Sequence, residues 1–250
     1  MSRTVLVTGA SRGIGRAVCR AFAARGDNVV VHYANRRDDA LATLESLDGS
    51  GHLLVQGSLT DPETVRNVVD RAAGLRNGLD VVVNNAAVMT PHPPATVSYA
   101  EWQRAWTDTL NVNLVAASNV CYCAAQAMMA AGRGGHIVNI GSRGAFRGEP
   151  DHPAYGASKA ALLAMSQSLA VALAPHGIVV GAVAPGFVET ERVAERLHGP
   201  EGPGIRAQSP FGRVAQPEEI ASAVVYLASP EATWAAGAIL DMNGASHLRL

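Results

Sequence analysis

Seven short runs rich in β-branched residues punctuate the chain, at Val5–Thr8, Val29–His32, Leu53–Gln56, Val81–Asn84, Ile137–Ile140, Ile178–Val183 and Ile239–Met242. Most are apolar without alternation, the pattern of strands covered on both faces. Between them lie segments of helical period, at 13–25, 36–47, 62–76, 99–131, 155–175 and 217–228. Parallel strands need crossover connections, and those are right-handed. Alternation over the whole length therefore predicts an α/β chain with one doubly wound, seven-stranded parallel sheet and helices on both faces. The 250 residues suit a single domain over 1–250, and 48% hydrophobic against 16% charged residues can bury its core.

Charge narrows the partners. Twenty basic and twenty-one acidic side chains give a net −1, a poor footprint for nucleic acid or an anionic membrane. The opening Met-Ser-Arg runs straight into the apolar Thr4 to Val7, so no secretory leader is expected. Ser166-Gln167-Ser168 interrupts the most apolar helix candidate, so no membrane span is expected either. Cys19, Cys121 and Cys123 cannot form a disulfide framework and read as reduced core thiols in a cytoplasmic protein. Ala160–Ala174 and Val112–Ala131 are apolar nearly all round. A helix that covers a sheet needs one apolar stripe, so helices 99–131 and 155–175 are expected to meet a second copy, in a dimer or tetramer. The stretch at about 186–213, with Gly199-Pro200 and Gly202-Pro203-Gly204, reads as irregular and is a candidate lid.

After the first strand comes Thr8-Gly9-Ala10-Ser11-Arg12-Gly13-Ile14-Gly15, opening into a helix. Glycines there let the backbone turn tightly and approach a pyrophosphate seated on free N–H groups at the helix N-terminus. The Gly-x3-Gly-x-Gly spacing differs from the commoner G-x-G-x-x-G. An acid ending the second strand would hold the ribose 2′-hydroxyl of NAD, but this strand ends Tyr33-Ala34-Asn35-Arg36-Arg37. Guanidinium groups suit a phosphate, so the 2′-phosphate of NADP is expected on Arg12 with Arg36 or Arg37, and NAD is the lesser candidate.

Further on, Gly141-Ser142 ends the fifth strand, and Tyr155 and Lys159 stand four apart on one helix face. Together with the glycine turn, Asn84-Asn85-Ala86-Ala87, Asn113 and Pro185-Gly186, these residues make the chain resemble the short-chain dehydrogenase/reductase family over essentially its whole length. Within that family the likeness is to the 3-oxoacyl-[acyl-carrier-protein] reductase and carbonyl-reductase type. The resemblance implies a Rossmann fold and a catalytic set of Asn113, Ser142, Tyr155 and Lys159. Tyr155 would donate the proton, with Lys159 as a neighbouring cation that lowers the phenol's pKa and bonds the nicotinamide ribose. Ser142 would bond the substrate oxygen, and Asn113 would hold a water that links Lys159 to solvent.

The cofactor set implied is Gly9, Ser11, Arg12, Gly13, Ile14 and Gly15 at the turn, and Tyr33, Asn35 and Arg36 after the second strand. Ser58, Leu59, Asn85, Ala86 and Ala87 follow, then Tyr155 and Lys159, then Pro185, Gly186, Val188 and Thr190. The lid falls at about 187–212 on the same likeness. Three positions depart from the family pattern: Ala87 stands for a usual Gly, Ser58 for an Asp at the adenine, and Ala245 for the second Gly of a pair.

Arg143 and His152, between Ser142 and Tyr155, are the candidate substrate contacts. No His or Cys spacing fits a metal site, so none is expected. The leading reading is an NADPH-dependent reductase that turns a small ketone or 3-oxoacyl carbonyl into a secondary alcohol. The alternatives are an alcohol or polyol dehydrogenase running oxidatively, and a dinucleotide-binding regulator without catalysis. Arg133 and His176 offer little docking surface for an acidic carrier protein, which argues against a dedicated fatty-acid role. Nineteen of the twenty basic residues are Arg, and the one Lys is Lys159. A compact ammonium beside a phenol and a ribose would explain why Arg does not stand there too.

Overall fold

The computed structural model describes residues 2–75 and 78–249. Seven strands form one parallel sheet: β1 (Thr4–Val7), β2 (Asn28–Tyr33), β3 (Leu53–Gln56), β4 (Val81–Asn84), β5 (Gly135–Ile140), β6 (Ile178–Pro185) and β7 (Ile239–Met242). Their order is β3-β2-β1-β4-β5-β6-β7, with register pairs such as Val5 to Val29 and Val5 to Val81. The chain winds outward from β1 in one direction and then, from β4, in the other. That reversal opens a crevice beyond the carboxyl ends of β1 and β4, where this class of sheet binds ligands.

Three helices cross between the first strands: α1 (Gly13–Ala23), α2 (Arg37–Glu45) and α3 (Pro62–Ala73). Next come α4 (Tyr99–Leu110) and α5 (Ala116–Ala131), joined without a break by a π turn at Asn111–Val115, and then α6 (Pro153–Leu173). Most helix ends fall a few residues inside the periodic segments, and the last position of the segment 62–76 lies outside the described residues. The strands are apolar on both faces but still alternate in where they point. Val5, Val7, Val29, Val31, Val81 and Val83 pack with α1 and with a helix at Pro217–Leu227, whereas Leu6, Val30 and Val82 pack with α3 and α5.

Two expectations need correcting. The segment 186–213 is only partly irregular, because it holds the short helices α7 (Ala194–His198) and α8 (Gly202–Arg206) before α9 (Pro217–Leu227). Leu197, Ile205 and Val214 make a small core of their own there, with Phe187 and Val193 packed against it. A parallel bridge from Val188 to Ala215 ties the two ends of the segment together. In addition, the stretches Tyr99–Ala131 and Pro153–His176 are long and apolar enough, by length and composition, to cross a membrane. Ser166 does not break the second one. It is buried, its hydroxyl donates back to the Leu162 carbonyl at 2.7 Å, and Asn139 donates to it at 2.8 Å. Each of these helices lays one face against the sheet as part of the core. Of the three thiols, Cys19 and Cys121 are buried, while Cys123 is only partly so.

Candidate active site

The glycine turn is held from three sides. Gly9 and Gly13 have φ of +61° and +54°, a region where L side chains are strained. A Cβ on Gly9 would stand 2.7 Å from the Ala86 Cα, and one on Gly15 would stand 2.6 Å from the Asn85 amide nitrogen. That amide donates to the carbonyls of Thr8 and Gly9 at 3.0 and 2.8 Å, while the Thr8 hydroxyl accepts the Asn85 and Ala86 N–H groups. Asn85 thus braces the turn. The third prop is His32, whose Nδ1 accepts the Gly9 N–H at 3.2 Å. Nothing in the motif pointed to His32. The signal available was a histidine inside an otherwise apolar buried strand, which must find partners.

From this turn a cleft of about 1030 Å³ runs across the sheet edge. It is lined by every residue of the expected cofactor set except Gly15, which lies beneath the turn. Arg12, Tyr33, Asn35 and Arg36 line its adenosine end and Arg37 does not. Arg36 is half tied up at 3.4 Å with Asp39. Ser58 also lines the cleft, and its hydroxyl pairs with Thr60 at 2.9 Å. A cradle with no room for a Cβ, followed by a long cleft with guanidinium groups at one end, fits a dinucleotide.

The floor at the other end carries Ser142, Tyr155 and Lys159. Ser142 follows β5, accepts the Gly144 N–H at 2.9 Å and hydrogen-bonds the Tyr155 phenol. Tyr155 sits in the first turn of α6, whose Ala154 N–H is taken at 3.1 Å by buried His92. One helical turn on, Lys159 is buried, with Nζ donating to the Ile140 carbonyl at 2.6 Å and 5.8 Å from the Tyr155 ring centre. Burial first, and then the Arg192 charge, bring Lys159 down from 10.5 to about 7.

The phenol does not follow the expectation that a cation lowers it. Burial pushes Tyr155 up, outweighing the downward pull of the Ser142 hydrogen bond and of Arg192, and Glu149 adds to the rise. A Lys159 that is itself drawn toward neutrality by burial is a weak source of field. Asn113 lies in the π turn, a local geometry often found at functional sites. Its side-chain oxygen accepts the Val88 N–H at 2.8 Å, and its amide nitrogen donates to the Val88 carbonyl and the Ser158 hydroxyl. It therefore fixes the loop after β4.

Arg192 escaped the sequence reading. It leaves the base of the 187–212 segment, crosses the cleft and donates to the Ala87 carbonyl at 2.9 Å. Its field reaches both Tyr155 and Lys159, and Arg12 and Arg36 repel it. Beside it, Thr190 packs over Gly13, where a Cβ would come within 3.1 Å of its methyl group. Of the two expected substrate contacts, both line the cleft. His152 is partly buried at the start of α6, and burial holds it below its usual pKa. Arg143 is buried, 5.3 Å from the Phe187 ring. Among the described residues no group of His, Cys, Asp or Glu could hold a metal ion.

A cradle for a dinucleotide, leading to a buried Ser–Tyr–Lys floor on a doubly wound sheet, defines an NAD(P)-dependent oxidoreductase. The family described as enoyl-(acyl carrier protein) reductase matches residues 9–247. The 3-oxoacyl-[acyl-carrier-protein] reductase FabG of Escherichia coli (strain K12) is 36% identical over 246 residues, 98% of each chain. FabG of Staphylococcus aureus (strain Mu50) is 32% identical over 250 residues, 99% of each chain. A crystal structure of a putative gluconate dehydrogenase from Agrobacterium tumefaciens superposes with a TM-score of 0.87 at 26% identity, covering 99% of this chain and 97% of that one. The chain belongs to the short-chain dehydrogenase/reductase family.

Proposed function

We propose that the protein is an NADPH-dependent carbonyl reductase with Tyr155 as its proton donor, reducing a small ketone or 3-oxoacyl group to a secondary alcohol. The observation that carries this reading is the convergence of Ser142, Tyr155 and Lys159 at one end of a cleft whose other end is the glycine turn. When bound, the reduced nicotinamide supplies a hydride to the carbonyl carbon. The residues of the chain do the rest. Ser142 and the Tyr155 hydroxyl hold the carbonyl oxygen as negative charge develops, and Tyr155 gives that oxygen its proton. Lys159, half-protonated near pH 7, is suited to pass a proton to the phenol afterwards. Arg12 and Arg36, with no acid at the end of β2, favour a 2′-phosphate over a free hydroxyl. The segment 187–212 acts as the substrate lid, closing over the whole as part of a single domain.

The relatives named 3-oxoacyl-[acyl-carrier-protein] reductase support the reductive direction. The structural neighbour described as a gluconate dehydrogenase supports a second reading, oxidation of a polyol or sugar acid. The outer faces of the long helices leave Tyr99, Tyr122 and Val171 at 75%, 67% and 79% exposure, which suits a dimer or tetramer built on them. A cytoplasmic location accords with buried, protonated thiols.

The test is NADPH and NADH oxidation against 3-oxoacyl thioesters, simple ketones, quinones and keto sugars, beside Tyr155→Phe. Turnover with NADPH in preference to NADH, and a loss of about 10²–10⁴-fold in Tyr155→Phe, are expected. Preference for NADH, or a variant retaining more than about a tenth of kcat, would refute the reading.

A further inference from the structure

We infer that the carbonyl substrate carries a carboxylate, and that Arg143 is the residue that receives it. This rests on the reading of the same cleft as a carbonyl-reducing site and adds the class of substrate.

Arg143 directly follows Ser142 and lines the same cleft. The side chain is only 6% exposed. Buried arginines nearly always meet an acid, because an unpaired buried cation is costly. Among the described residues Arg143 has no carboxylate within ion-pair distance. Its one hydrogen bond runs from Nη1 to the Ser246 hydroxyl at 2.7 Å, and its face lies 5.3 Å from the Phe187 ring. A guanidinium has five N–H donors, so most of its fork is left to a ligand.

The surroundings deepen the deficit. Burial and the like charge of Arg147 both hold Arg143 below its ordinary pKa, and only Glu149 opposes them, from beyond ion-pair reach. Arg147 likewise spends its charge on a neutral partner, the Gln208 side chain at 3.2 Å. Arg196 comes from the lid to within 5.6 Å of the same Phe187 ring, but Glu201 already answers it at 2.8 Å. Of the two arginines against the Phe187 ring, the one without an acid is therefore Arg143. It stands in the wall shared by the main cleft and a smaller cavity lined also by Ile205, Phe211 and Ser246. A planar carboxylate matches its fork in two parallel hydrogen bonds, whereas an ester or thioester in the same place would leave the cation unpaired.

The experiment compares kcat/KM for keto acids against their methyl esters, with one, two or three carbons between carbonyl and carboxyl, in the wild type, Arg143→Gln and Arg143→Lys. In parallel, calorimetry measures binding of the matching hydroxy acids to the protein with NADP⁺. The wild type is expected to favour at least one acid over its ester tenfold or more. That ratio should fall at least tenfold in Arg143→Gln and recover partly in Arg143→Lys, and KM for the acid alone should rise with ionic strength. Should Arg143→Gln fail to fold, the salt dependence and the hydroxy-acid binding decide alone. Esters preferred or matched throughout, or hydroxy acids that do not bind, would overturn the inference. Absence of turnover with every carbonyl compound would sink the reductase reading instead; hydroxy-acid binding that Arg143→Gln abolishes would then still uphold the carboxylate site.

Discussion

His32 pins Gly9 to the second strand: its Nδ1 accepts the Gly9 N–H at 3.2 Å while its Nε2 meets the Gly57 carbonyl at 3.0 Å. An acceptor at Nδ1 and a donor at Nε2 define one neutral tautomer. Protonation would set an N–H against the Gly9 N–H and spoil the support of the phosphate turn. Burial accordingly lowers His32 from 6.5 to about 4, against a smaller upward pull from Gly57. Between pH 6.5 and about 4 the unfolded chain takes up a proton that the folded chain refuses, so stability falls with pH across that window. A His32→Gln variant should lose less stability than the wild type on going from pH 7 to pH 4. Urea denaturation at several pH values checks this, and parallel curves would refute it.

Lys159 behaves in the opposite range. Its folded value of about 7 lies below the 10.5 of a free lysine. Below pH 7 the charge is present in both states and the folded state bears the full cost of burying it. Stability from this group is recovered as pH rises from 7 toward 10.5, where the unfolded chain holds more protons. Lys159→Met should therefore exceed the wild type in stability by a few kcal/mol near pH 6, and the gap should close toward pH 10. Melting temperatures of the pair at both pH values read the effect. A gap that does not change with pH would refute it.

Arg192 lowers both Lys159 and Tyr155 through its charge. Removing that charge in Arg192→Gln should raise both groups, so the pH–rate profile of carbonyl reduction should move to higher pH. It should also release the 187–212 segment from the Ala87 carbonyl, to which Arg192 donates at 2.9 Å. A profile that drops in height without moving would show that Arg192 acts on that segment alone.

Ala245 is the only residue other than glycine with positive φ among the described residues, at +57°. It stands where the family pattern has a second glycine, directly after Gly244. An L side chain in this region costs about 1–2 kcal/mol, part of which is offset because alanine is less free than glycine when unfolded. Ala245→Gly should raise stability by about 0.5–1 kcal/mol, read as a shift in urea midpoint with unchanged slope. A lower midpoint would refute it.

What could be read in the sequence follows the range of the interactions involved. Strands buried on both faces announce themselves as apolar runs, and the spacing of Tyr155 and Lys159 is fixed by one helical turn. The glycine turn is likewise a local conformational demand, met by Gly9 and Gly13. The helices Ala194–His198 and Gly202–Arg206 are too short to form alone and stand on the packing of Leu197 and Ile205 against Val214. Their glycine- and proline-rich sequence reads as loop for that reason. Arg192 reaches Ala87 across 105 positions, and His92 reaches Ala154 across 62. Such contacts leave no periodicity. Asn113 turns its side-chain amide to Val88, 25 positions away, because a buried amide must find partners wherever the fold brings them.

The solitary lysine has a consequence for anyone who cuts the chain. A protease that cleaves after lysine finds one target in all 250 residues, and that target is 2% exposed in the helix that carries Tyr155. Fraying ends and surface loops offer it nothing. Scission into residues 1–159 and 160–250 therefore counts only those openings that take the catalytic floor apart.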